Sequence, residues 1–83
     1  MALKIYELTC DSAWDGTHEI TRKVFFKRTK ARAQMRVVYK AELNNWEQTF
    51  GKDMVSTCVG RNTVSLHLKG NAEKKITWKV EEQ

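Results

Sequence analysis

The 83-residue chain contains no proline and only four glycines, so nothing in it reads as a long flexible linker between domains. No apolar run approaches the roughly 20 residues that cross a bilayer as a helix. The opening residues Met1-Ala2-Leu3-Lys4 lack the apolar stretch of a secretion signal. Cysteine is scarce: Cys10 and Cys58 stand far apart, with no CxxC pair and no Cys/His cluster, which excludes the usual zinc-site spacings. In a reducing compartment both cysteines are expected to be free thiols packed as small apolar groups. One small domain over residues 1–83, of cytoplasmic location (inside a cell or an infected host) and with no membrane contact, is the expectation. Its stability should be on the order of 5 kcal/mol.

The most informative absence is local. Between Ile20 and Ala41 there is no acidic residue, while eight cations occur: Arg22, Lys23, Lys27, Arg28, Lys30, Arg32, Arg36 and Lys40. The chain has 15 Lys and Arg against 10 Asp and Glu, net +5. Outside this window the balance is therefore seven cations against ten acids, a net −3. Ordinary helix surfaces mix signs, because like charges four residues apart cost a few tenths of a kcal/mol. Arg32-Arg36 and Arg36-Lys40 are both such pairs. A surface that tolerates this cost is expected to face an anion, and a phosphate backbone is the usual one.

The pattern of apolar residues gives an α+β fold. Residues 3–10 read as a strand, 11–17 as a polar loop with Asp15-Gly16 as its turn, and 18–28 as a second strand forming a hairpin with the first. On that second strand Ile20, Val24 and Phe26 share a face with Arg22. This face is expected to meet the core, with Arg22 near a sheet edge. Thr29 is the expected helix N-cap. Residues 30–45 have helical spacing: Ala31, Met35, Val38 and Glu42 form one stripe, widened by Tyr39, Leu43 and Trp46, and Asn44-Asn45 suits the helix end. The remainder alternates as three strands, with turns at Gly60-Arg61-Asn62 and Gly70-Asn71. The order is ββαβββ, a single helix packed across a curved antiparallel sheet.

Catalytic chemistry finds little support. His18 and His67 sit in no motif, Glu81-Glu82 is a charged tail, and the loop around Asp11 and Asp15 offers too few oxygen ligands for a metal. The glycines stand singly and cradle no phosphate. No catalytic residue, metal site or cofactor is expected. The expected contact surface is Lys23, Lys27, Arg28, Lys30, Arg32, Arg36 and Lys40. Lys27, Arg28, Lys30 and Arg32 gather where the positive end of the helix dipole adds to them. Two aromatics join the list. Trp14, between acids in a polar loop, is the tryptophan expected to be exposed, and Phe25 lies between Lys23 and Lys27, where it either stacks on a base or packs under a loop.

The segment Val24-Phe25-Phe26-Lys27-Arg28-Thr29-Lys30-Ala31-Arg32-Ala33-Gln34, a strand ending in basic residues and a Thr-Lys-Ala-x-Ala helix entry, resembles small phage and mobile-element proteins of the type I anti-CRISPR inhibitor kind. The resemblance covers 11 of 83 residues. It implies a non-enzymatic inhibitor that occupies the DNA-binding surface of a CRISPR surveillance complex. Many inhibitors of that kind are acidic DNA mimics, and this chain is basic, so through its cationic face it would bind an acidic protein patch or bridge the complex to nucleic acid. The alternative is a nucleic-acid-binding module, sequence-nonspecific, using the same residues. Either a monomer or a homodimer through an exposed sheet edge is compatible with so short a chain.

Overall fold

A computed structural model describes residues 4–14 and 16–83, and at residues 71–73 the backbone alone. Two strands, β1 (Tyr6–Trp14) and β2 (Thr17–Phe25), precede a helix, α1 (Arg28–Phe50). A 3₁₀ turn (Lys52–Met54) leads to β3 (Val55–Val59), β4 (Thr63–Leu68) and β5 (Asn71–Glu82). The expected α+β class and the ββαβββ order are both observed. The strands form one antiparallel sheet in the order β2-β1-β5-β4-β3. The last strand thus lies in the middle, with Leu8 opposite Val80 and Cys10 opposite Trp78.

Strand alternation puts Leu8, Val64, Leu66, Leu68, Ile76, Trp78 and Val80 on the face covered by the helix. With Ala31, Met35, Tyr39 and Trp46 they make the core. Met35, Leu66 and Val64 are fully enclosed. Tyr39 meets Trp78 edge to face at 6.0 Å, a preferred aromatic geometry. The opposite sheet face carries mostly threonines, serines and charged groups and has no described helix over it.

Several local expectations differ from the structure. The loop assigned to residues 11–17 is mostly strand: β1 runs to Trp14, and the turn contracts to two residues. Residue 15 of that turn lies outside the described residues, while Gly16 has φ 83, a value that favours glycine. The helix begins after Lys27 rather than Thr29, with no side-chain cap, and passes through Asn44-Asn45 to Phe50. It ends at Gly51, whose φ is 92 and whose N–H donates to the Glu47 carbonyl at 2.9 Å. Propensity at two asparagines is outweighed by Trp46, which is buried one residue beyond the expected end.

The face of β2 is reversed. Phe25 pairs with Tyr6 and Lys23 with Leu8, so Phe25, Lys23, Thr21 and Glu19 point to the helix side. Phe25 packs against the core. Ile20, Val24 and Phe26 are exposed at 49%, 53% and 73%. Phe25 outweighs the apolar majority because it is the residue at which the chain leaves the sheet to enter the helix layer.

Candidate nucleic-acid interface

The eight cations of the acid-free window divide by what they touch. Arg22 lies on the uncovered sheet face, its Nε 3.5 Å from Glu7 Oε1. Lys23 Nζ sits 5.8 Å from the centre of the Phe25 ring. Arg28 donates to Glu82 Oε2 at 3.3 Å and stands over the Tyr6 ring at 5.1 Å. Arg32 Nε donates to Asn62 Oδ1 at 2.8 Å and is half-buried. Lys27, Lys30, Arg36 and Lys40 have no ion pair or hydrogen bond to a side chain among the described residues, and all four are exposed.

The free cations therefore lie on the helix and its entry. Lys30 and Lys40 are ten residues apart, about 15 Å along the axis at 1.5 Å per residue. Arg36 and Lys40 are one turn apart on the same flank. The first helical turn contains no acid, so nothing on the helix itself offsets the positive end of its dipole. Arg28 and Arg32 border this surface but are anchored to the sheet. Arg32 binds the β3–β4 turn, which is also held by Val80 N–H to the Asn62 carbonyl at 2.8 Å.

That turn brings in a residue the sequence reading did not include. Arg61 is exposed and precedes Asn62, the residue that Arg32 bonds, so the chain carries a further cation to the sheet end next to the helix. Nothing local in the sequence marks it, because the helix residue bonded to its chain neighbour Asn62 is 30 positions earlier than Asn62. Lys23, by contrast, belongs elsewhere: it lies on the edge strand, facing the helix layer across a groove.

The two expected aromatic contacts are also repositioned. Of the two placements open to Phe25, packing is the one observed: it lies against the core. Trp14 is 37% exposed, yet its ring meets Trp46 at 5.5 Å and Phe50 at 6.0 Å, and Lys74 Nζ stands over it at 4.3 Å. It closes the end of the core rather than projecting as an anchor. Phe26, beside Lys27, is the most exposed large apolar side chain among the described residues.

A concavity of about 560 Å³ lies between α1 and β2, with Leu8, Cys10, Val38 and Trp78 in its walls. Burial pushes the Cys10 thiol above its ordinary value of 9.0. A hydrogen bond with Thr21 opposes the rise, and the nearby carboxylates of Glu42, Asp11 and Glu19 add to it. A protonated thiol is a poor nucleophile, so nothing in the groove suggests nucleophilic chemistry. His18 contacts Asp11 on the uncovered sheet face, and both are exposed. Among the described residues no three His, Cys, Asp or Glu side chains are placed to hold a metal ion. No described helix is long and apolar enough to cross a membrane.

Comparison of the chain with protein-family models, with curated proteins and with solved structures gives no match in any of the three.

Proposed function

We propose that this is a non-enzymatic binding protein that docks on a phosphate backbone through the outer flank of α1. The reading rests on one observation: Lys27 at the helix entry and Lys30, Arg36 and Lys40 along α1 are exposed and without side-chain ion pairs among the described residues. Exposed cations on most surfaces are interspersed with acids. Along the sequence none occurs between Ile20 and Ala41, and among the described residues the one acid bonded to a helix cation is Glu82, at Arg28. Arg28, Arg32 and Arg61 add charge at one end, and Arg32 stiffens that end through Asn62. Contacts of this kind read charge and spacing, not base identity, so binding would be sequence-nonspecific.

A second reading has its own support. Phe26, 73% exposed beside Lys27, is the kind of projecting apolar group that anchors a protein contact. A phage-type inhibitor that covers the DNA-binding surface of a CRISPR surveillance complex would use Phe26 together with the cationic flank.

An amide-resolved NMR titration with a 20-base-pair duplex separates these readings. The phosphate reading expects shifts concentrated at residues 27–40 and at Arg61, with the uncovered sheet face silent. Shifts confined to the sheet face, or none at low salt, contradict it. Loss of inhibition of target-DNA binding by the surveillance complex in Phe26→Asp, with duplex binding absent throughout, would favour the inhibitor.

A further inference from the structure

We propose that β2 is a self-complementary edge through which two copies of this chain pair antiparallel, joining their sheets into one of ten strands. This inference is independent of what the cationic flank binds. β2 is an outer strand of the sheet, nine residues long. Every residue from Thr17 to Val24 is exposed. No described element covers its outer side. A strand of this length with free N–H and C=O groups is an open template. Two such edges in antiparallel register exchange about eight to ten main-chain hydrogen bonds.

Symmetry limits how two identical strands can meet. Residues directly opposite in an antiparallel pair share a sheet face, so the two-fold axis must pass through a residue. Three central residues keep most of the strand paired: Ile20, Thr21 and Arg22. An axis at Arg22 sets two arginines against each other. An axis at Ile20 puts Arg22 opposite His18 and leaves Glu19 and Lys23 facing threonines. An axis at Thr21 places Glu19 opposite Lys23 of the second copy, and Lys23 opposite its Glu19. It also puts threonine against threonine at the centre and Arg22 against Ile20.

Only the Thr21 register makes both charges complementary, and both lie on the helix-facing side of the strand. A charge pointing inward on an edge strand commonly blocks such pairing. Here the inward charges are one of each sign, two residues either side of the centre, so self-pairing neutralises them. The other edge, β3, has five residues, no charge at all, and so no comparable complement. The axis is perpendicular to the sheet, which leaves both helices on the same face of the joined sheet.

The test is association measured by sedimentation equilibrium on the full chain and on Glu19→Lys and Lys23→Glu, each variant checked for native circular dichroism. The wild type is expected to show a concentration-dependent monomer–dimer equilibrium. Each single reversal, which turns two opposite pairs into two like pairs, is expected to weaken it about tenfold. An equimolar mixture of the two variants restores opposite charges at both positions and is expected to regain wild-type association as a heterodimer. A wild type that stays monomeric to millimolar concentration would overturn the proposal. So would a dimer indifferent to both reversals, and a mixture that fails to recover would overturn the Thr21 register.

Discussion

Individual side chains in this small fold are assigned to three roles: filling the core, tying the layers together, or remaining free for a partner. Arg32 and Arg36, one turn apart in sequence, illustrate the division. Arg32 gives a hydrogen bond to Asn62 and is half-buried, whereas Arg36 is exposed with no such contact. Reversing the charge at Arg32 would therefore disturb folding as well as binding, so Arg36 and Lys40 are the cleaner probes of function. The cysteines divide in the same way. Cys10 is half-buried in the groove with its thiol pushed above 9.0, mainly by loss of solvation, while Cys58 is exposed. The folded chain holds the Cys10 proton at pH values where an ordinary thiol would release it. This contribution to stability is complete below about pH 9 and is lost as pH rises through the folded value. Iodoacetamide at pH 8 is expected to label Cys58 first, and the rate at Cys10 is expected to keep rising with pH beyond 9. Peptide mass spectrometry at timed intervals checks both, and faster labelling of Cys10 would contradict its placement.

Elements were legible in the sequence wherever a period ran unbroken. The alternation of Val64-Leu66-Leu68 and Ile76-Trp78-Val80 marked β4 and the heart of β5, and the spacing of Ala31, Met35 and Tyr39 marked the helix face. Alternation alone does not say which side of a strand another element covers. In β2 both sides carry apolar residues, and the choice between them depends on pairing with β1 and on where the chain crosses into the helix layer. Neither is a local property. The helix end was misplaced for a related reason: Asn44-Asn45 is locally a stop signal, but Trp46 and Phe50 have partners in Trp14 that only the fold supplies. Asn45 is consequently a poor helix former inside a helix, exposed and without a side-chain partner among the described residues. Asn45→Ala is expected to stabilise the protein by about 0.5 kcal/mol. In a domain of this size that raises the melting temperature by roughly 2–4 °C in a thermal scan. A lower melting temperature would mean that the helix does not run through this position.

At the scale of the molecule, a one-helix-on-sheet body carries its charge unevenly. The helix flank is positive, the uncovered sheet face holds both signs, and the turn that Arg32 bonds carries the exposed Arg61. The charge excess between Ile20 and Ala41 was visible in the sequence. Its division into tethered and free cations was not, because Glu82, Asn62 and Glu7 reach it from distant positions. The central claim is that the free cations engage phosphates, and the most direct measurement is the salt dependence of duplex binding by fluorescence anisotropy. Four free cations, or five with Arg61, predict that log K falls against log salt with a slope of about −3.5 to −4.5 per bound protomer. In Arg36→Glu/Lys40→Glu, binding should collapse while circular dichroism stays native. A slope shallower than about −1, or undiminished binding by that double variant, would contradict the account.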